Sequence, residues 1–302
     1  MLFAEHRLLY YNKNDMKKIA IITGASSGLG KEFSEQVSKK YDFDEIWIIA
    51  RRKDKLKEIA TNLNDGKHFK VVRPVVMDIA GREGVQRFKQ YLDSKDAELR
   101  KVESGIEISL LINNAGFGTY GPFAETSVER QMEMIELNCT TVTGICGVAL
   151  PYLKKNSVII NTASLAAFLP LGNFAVYGAT KAYVLSFSVA LSAELRDKGI
   201  KVCALCPGSV STEFADVASN GARKEVKGGI KPEKVVAQCL KRAYKGKVTA
   251  LYRQKWRFTA FISRFVGRYL GARYTYKYNK RPRNPDDDMK KNDGEVSISN
   301  FM

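Results

Sequence analysis

Short runs of nearly continuous apolar residues punctuate the chain, at 18–22, 45–49, 71–76, 108–112, 158–160 and 202–205. Hydrophobicity that does not alternate implies burial on both faces, the condition of a parallel strand covered by helices. Between these runs the apolar spacing is helical, over 28–40, 53–63, 81–94, 126–154, 176–198 and 232–245, the last opened by Pro232 near its first turn. Such alternation predicts an α/β fold: a doubly wound parallel sheet in three α/β/α layers. Pro74 lies inside the third run. Proline is poor in a central strand but acceptable at an edge, and the strand order 3-2-1-4-5-6 makes the third strand an edge.

The ends of the chain read differently. Residues 1–15 look like an extension before Met16, the α/β domain occupies 16–252 with a last strand at 248–252, and 281–302 reads as a disordered tail. In between, 253–280 forms a basic helical extension. Within 256–270, Phe258, Phe261, Ile262, Phe265 and Tyr269 follow one helical face, and the series Arg253, Arg257, Arg264 and Arg268, which begins just before it, another. An amphipathic basic helix suits an anionic membrane surface, and equally an apolar face packed on its own domain or on a second subunit.

Composition narrows the classes. Of 302 residues, 45% are hydrophobic and 27% charged, which excludes a wholly disordered chain. The net charge of +17 raises the question of nucleic acid. Much of it gathers after Glu233, where no acidic residue appears until Asp286, and no nucleic-acid module is present, so no nucleic-acid partner is expected. No uninterrupted apolar stretch approaches the roughly 18 residues of a spanning helix. With only His6 and His68, a histidine-rich metal site is not expected. The five cysteines do not form a disulfide framework, and a reducing, cytoplasmic compartment follows, with membrane association left open by the 256–270 helix. Cys203 and Cys206 fall in a strand pattern, where an odd separation predicts opposite faces and no metal half-site.

Three patterns carry candidate chemistry. The first strand runs into Thr23-Gly24-Ala25-Ser26-Ser27-Gly28-Leu29-Gly30. Glycines there permit a tight turn and a close approach to a pyrophosphate, which the following helix N-terminus attracts. The second strand ends Ile49-Ala50-Arg51-Arg52, without the carboxylate that would hold a ribose 2′-hydroxyl. Two guanidiniums suit a 2′-phosphate, so NADP(H) is expected in preference to NAD(H). Tyr177 and Lys181 stand at i and i+4 on one helical face, where a cation favours phenolate and lowers a tyrosine pKa toward working pH. That spacing recurs at Tyr91/Lys95 and Tyr276/Lys280, so context must distinguish it.

Taken together, Thr23–Gly30, Asn113-Asn114-Ala115-Gly116, Asn138, Ser164, Tyr177/Lys181 and Pro207-Gly208 resemble, in order and spacing, the short-chain dehydrogenase/reductase family over about 18–250. Within that family the chain resembles NADP-dependent hydroxysteroid dehydrogenase and 3-ketoacyl reductase-like members. The resemblance implies a Rossmann fold and assigns roles residue by residue. Tyr177 is the general acid/base, Ser164 bonds the substrate oxygen, Lys181 lowers the phenol pKa and binds the nicotinamide ribose, and Asn138 holds a relay water. The cofactor would be lined by Thr23, Gly24, Ser26, Ser27, Gly28, Leu29, Gly30, Arg51, Arg52, Asp78, Ile79, Asn114, Ala115, Gly116, Tyr177, Lys181, Pro207, Gly208, Val210 and Thr212. Ser164, Leu165, Phe174, Tyr177 and Phe214 would face substrate, and Glu213 with 223–227 would form a lid. No metal is implied.

The expected activity is ketone–alcohol interconversion by hydride transfer. The apolar residues around the expected substrate site (Phe117, Tyr120, 165–171, Phe174, Phe214 and Val217) suit a steroid, bile-acid-like compound or acyl chain. Two other readings stay open: a catalytically silent NADP(H)-binding regulator, and a reductase of small polar carbonyls. The family implies a homodimer or homotetramer through 126–154 and 176–198.

Overall fold

The structure is a computed structural model and describes residues 16–65, 71–102, 104–224, 226 and 228–286. Seven parallel strands form one sheet in the order β3-β2-β1-β4-β5-β6-β7. They are β1 (Lys17–Thr23), β2 (Glu45–Ala50), β3 (Val71–Val76), β4 (Ile106–Asn113), β5 (Val158–Thr162), β6 (Lys201–Leu205) and the two-residue β7 (Thr249–Ala250). The helices are α1 (Gly28–Lys40), α2 (Lys53–Asn64), α3 (Gly81–Leu99), α4 (Val128–Ile135), α5 (Thr141–Ala149), α6 (Ala175–Glu194), the short α7 (Phe214–Ala218), α8 (Pro232–Tyr244), α9 (Gln254–Ile262) and α10 (Arg268–Tyr278).

The absence of alternation is explained directly. On β1, Ile19 and Ile21 pack toward Phe88 and Leu92 of α3, while Ala20 and Ile22 pack toward Phe33 and Val37 of α1. Both sets are fully buried, and each large aliphatic side chain contributes about 1.5–3 kcal/mol on burial. Pro74 sits opposite Ile48 on the edge strand β3, where its missing N–H costs no ladder bond to a further strand. An ion cluster ties the first three strands. Glu45 accepts two 2.9 Å hydrogen bonds from Arg73 and one of 2.7 Å from the Trp47 indole, with Lys17 Nζ at 3.0 Å.

Several expected boundaries shift. The run 126–154 is divided by a π-helical turn, Glu136–Thr140, and ends in a 3-10 turn. Its span Val128–Tyr152 is, by length and composition, apolar enough to cross a membrane, contrary to the sequence expectation. In this fold Met134, Ile145, Cys146 and Ala149 from that span are buried. The single helix expected over 256–270 is two helices, broken between Ile262 and Arg268. Cys203 and Cys206 do not part to opposite faces; both enter the core cluster that holds Cys239, because β6 ends at Leu205 and strand alternation stops there. All five cysteines are free.

Candidate active site

Because all strands run parallel, their C-terminal ends share one rim, and the order reverses between β1 and β4. Loops leaving that rim bound a cleft of about 930 Å³, in the place where open α/β sheets bind ligands. The β1–α1 turn forms one wall. Gly24 (φ +65°) and Gly28 (φ +53°) adopt left-handed backbone, and a Cβ on Gly24 would stand 2.8 Å from the Ala115 Cα. No side chain caps the start of α1 and no acidic residue occupies its first turn, so its N–H groups and positive dipole end are left for an anion.

The far wall carries the hydroxyls. Tyr177 is buried in the first turn of α6, its ring stacked on Phe174 at 4.1 Å and tilted against Phe214 at 5.4 Å. Ser164 follows β5; its Oγ accepts from the Ala166 N–H at 3.0 Å and lies 3.5 Å from the Pro207 carbonyl. Lys181 Nζ donates to the Thr162 carbonyl at 2.8 Å and lies 5.7 Å from the Tyr177 ring centroid. Asn138 stands at the π turn. Its Oδ1 accepts from the Phe117 N–H (3.1 Å), and its Nδ2 donates to the Phe117 carbonyl (2.9 Å) and to Thr180 Oγ1 (3.1 Å). Gly116 makes room for this meeting: a Cβ there would lie 2.7 Å from Asn138 Oδ1 and 3.4 Å from Lys181 Nζ.

The electrostatics correct one expectation. Burial pushes the Tyr177 phenol up, opposed by a hydrogen bond with Ser164 and by the nearby Arg281. Burial also brings Lys181 down to about 8. In the protein alone desolvation outweighs the helical-face pairing, and the phenol is held protonated, the form that donates.

At the other end of the cleft, Arg52 is bound on three sides. It donates to Ser26 Oγ (3.0 Å), Ser27 Oγ (2.6 Å) and Glu213 Oε2 (2.7 Å), while Lys55 Nζ reaches Glu213 Oε1 at 3.0 Å. Burial would raise Glu213, but these two cations bring it down to about 2. Arg51 is more open, 3.9 Å from Asp78. Glu213 is thus pinned rather than loose, and of the expected lid Glu225 and Lys227 lie outside the described residues.

Every residue expected to face substrate lines this cleft, as do the expected cofactor residues other than Thr23 and Gly30. Thr23 is buried, its hydroxyl spent on the Asn114 and Ala115 N–H groups at 3.0 and 3.1 Å. Gly30 serves packing: a Cβ there would meet the Gly24 carbonyl oxygen at 2.1 Å. Asn138 is also wholly buried behind the wall rather than lining it. Asn114 lines the cleft yet ties strands together, its Nδ2 donating to the Thr23 and Gly24 carbonyls at 3.2 and 3.3 Å.

The sequence reading missed the C-terminal contribution. Trp256 of α9 packs on Gly208, where a Cβ would stand 2.5 Å from the indole. Thr275 Oγ1 accepts from the Gly172 N–H at 2.8 Å, and Asn173 Nδ2 donates to the Tyr276 carbonyl at 2.9 Å. The chain then brings Arg281 into the lining of the cleft, and beyond it Asn284 N donates to the Ser219 carbonyl (3.0 Å) and Asp286 accepts from the Ser127 N–H (2.9 Å). Of the tail expected over 281–302, the described part, 281–286, is therefore bound in place, and 287–302 lie outside the described residues. Arg281 from this strap lies 4.8 Å from the Tyr120 ring centroid and 5.2 Å from that of Phe174.

Comparison with known proteins agrees with this geometry. The family model for short chain dehydrogenase matches residues 18–222. An uncharacterized oxidoreductase of Staphylococcus epidermidis is 30% identical over 212 residues, covering 70% of this chain and 85% of that protein. The 17-beta-hydroxysteroid dehydrogenase type 3 of Mus musculus is 31% identical over 238 residues, 74% of this chain and 72% of that one. Among solved structures, a short-chain dehydrogenase from Sphingobium yanoikuyae in complex with NADPH superposes with a TM-score of 0.68 at 26% identity, over 90% of this chain and 100% of that chain. The chain belongs to the short chain dehydrogenase family and is an oxidoreductase.

Proposed function

We propose that the protein interconverts a ketone and a secondary alcohol on a bulky apolar substrate, with NADP(H) as cofactor. The observation that carries this reading is the continuity of the cleft from the uncapped start of α1 to the buried Tyr177. The glycine cradle fits a pyrophosphate, and the nicotinamide group bound along the cleft would supply or accept the hydride. Arg51 and Arg52, with no carboxylate at the end of β2, favour a 2′-phosphate. Ser164 and Tyr177 present two hydroxyls suited to one carbonyl oxygen: Ser164 stabilises the developing negative charge, and Tyr177 donates the proton in reduction or takes it back in oxidation. Lys181 and Asn138 orient the surrounding backbone. Phe117, Tyr120, Phe174 and Phe214 form an aromatic wall that favours an apolar body over a small polar carbonyl, and the presence of Ser164 and Tyr177 together argues against a silent regulator.

The test is a purified-protein assay of ketones and alcohols with each nicotinamide cofactor, followed at the reduced-cofactor absorbance band. Turnover of bulky ketones with NADPH is expected, and none with either cofactor on any carbonyl would overturn the reading.

Two assemblies belong to the same proposal. Val128 and Met132 of α4 and Tyr183 and Val189 of α6 are exposed apolar positions suited to a homodimer or homotetramer, which light scattering reports. Trp256 and Ala260 pack inward while Phe258, Phe261, Phe265 and Tyr269 stay exposed beside Arg257, Arg264 and Arg268. That charged aromatic face suits an anionic bilayer, in keeping with a cytoplasmic protein at a membrane surface. Sedimentation with anionic vesicles at low salt is expected to carry the protein down, and no binding would remove the membrane part.

A further inference from the structure

The charges around the cleft are divided between its ends. Among the described residues that line it, the carboxylates are Asp78 and Glu213, which face Arg51 and the Arg52/Lys55 pair at the end away from Tyr177. The catalytic end contains Lys181, Arg130 and Arg281 and, among the described residues, no carboxylate; Lys181 donates to the Thr162 carbonyl at 2.8 Å. Arg130 is spoken for, 4.0 Å from the Phe117 ring centroid and 3.0 Å from Glu133. Arg281 differs. Its guanidinium rests on the Tyr120 and Phe174 rings, and among the described residues it has neither an ion pair nor a hydrogen-bond acceptor.

We propose that Arg281 binds a carboxylate of the substrate, so that this site takes oxo-acids in which an apolar body joins a ketone to a carboxylate a few carbons away. The inference rests on the ketone reduction proposed above. The Phe174 ring stacks on Tyr177 at 4.1 Å on one hand and meets the Arg281 guanidinium at 5.2 Å on the other. A carbonyl held by the phenol and an anion held by Arg281 are therefore a short chain apart. Aromatic rings hold a guanidinium in place without spending its N–H donors, and its planar fork matches a carboxylate with two parallel hydrogen bonds. Among the described residues no carboxylate competes for that fork. Arg281 also acts from a strap anchored elsewhere, through Asn220 to Asn284 and Ser127 to Asp286, so replacing it leaves those anchors in place.

The experiment compares 5-oxodecanoate with its methyl ester, in the wild-type protein and in Arg281→Gln and Arg281→Lys, using NADPH. The acid is expected to exceed the ester in kcat/KM by about tenfold, since hydrogen bonds to a charged group are the strong kind. Arg281→Gln is expected to raise KM for the acid about tenfold with kcat and the ester nearly unchanged, and Arg281→Lys to restore part of the preference. Equal kcat/KM for acid and ester in the wild type overturns the inference while leaving ketone reduction standing. A fall in kcat on both compounds alike also overturns it, assigning Arg281 to the ionisation of Tyr177 instead. Calorimetric binding of the alcohol product, 5-hydroxydecanoate, supplies a readout without turnover: binding by the wild type and not by Arg281→Gln supports the inference, and equal binding by both, or none by either, defeats it.

Discussion

Arg52 and Glu213 meet at 2.7 Å across the cleft mouth, joining the segment after β2 to the one before α7. The same guanidinium holds the hydroxyls of Ser26 and Ser27, so one side chain links the glycine turn to the far wall. A 2′-phosphate arriving there competes with Glu213 for Arg52 and Lys55. Arg52→Ala is therefore expected to weaken NADPH binding roughly 10–100-fold, the range of a lost charge-assisted contact, with NADH binding little changed. Glu213→Gln is expected to tighten NADPH slightly, because an exposed ion pair is worth at most about 1 kcal/mol. Fluorescence titration of both cofactors checks the pair of outcomes. With its carboxyl held at about 2, Glu213 stays ionised at neutral pH, so the pH dependence expected between 6 and 8 is that of the 2′-phosphate, whose second ionisation lies at about 6.

Tyr177→Phe removes the proposed proton donor but keeps the ring on Phe174. Turnover is expected to drop by roughly 10²–10⁴-fold, the contribution of positioned acid–base catalysis, while NADPH binding persists. Direction and pH are linked. Burial raises the phenol above its ordinary value, so it is protonated and ready to donate at neutral pH, whereas alcohol oxidation needs it deprotonated. Alcohol oxidation is expected to accelerate steadily as pH rises above 7, and ketone reduction is not. Parallel pH profiles for the two directions would refute this assignment.

Phe214 stands at the start of α7 with its ring 5.4 Å from Tyr177. Truncation to alanine opens the aromatic wall and removes apolar contact area. KM for a bulky ketone is expected to rise about tenfold, in line with roughly 1–3 kcal/mol for a buried aromatic contact, and KM for acetone to stay close to its starting value. Identical changes across a size series of ketones would argue against a substrate-facing role.

Glu45 sets an acid limit on stability. Burial alone would raise its carboxyl, but the bonds from Arg73, Trp47 and Lys17 outweigh that and bring it from 4.5 down to about 2. Because the folded pKa is the lower one, the stabilisation is fully present above pH 4.5 and lost as pH falls through 2, amounting to about 2–3 kcal/mol. Denaturant melts of the wild type are expected to lose that increment between pH 5 and 2. Glu45→Gln should start lower at pH 7 and lose less over the same interval.

The strand runs, the edge position of β3 and the glycine turn were legible in the chain because each is set locally or by one dominant pattern. Unbroken apolar runs end in two-sided burial on inner strands such as β1 and β5, but not on β3, where Val71 and Val76 are exposed because an edge strand is covered less fully; Pro74 selects that edge. Tyr177 and Lys181 stand out by spacing and context, and the roles expected of them and of Ser164 come from the resemblance of the whole motif set to the family. What spacing does not contain is distance between remote segments. That Arg281 lies on the rings beside Tyr177 and that Trp256 closes over Gly208 depend on how the extension folds back over the rim, and that Arg52 reaches Glu213 depends on how the segments after β2 and β6 meet. The phenol makes the same point: i and i+4 neighbours predict a lowered pKa, but burial is a property of the packed molecule, and desolvation there exceeds the pairing. Local sequence decides which backbone and side-chain types stand ready; only packing decides which charges lose their water and which distant groups meet.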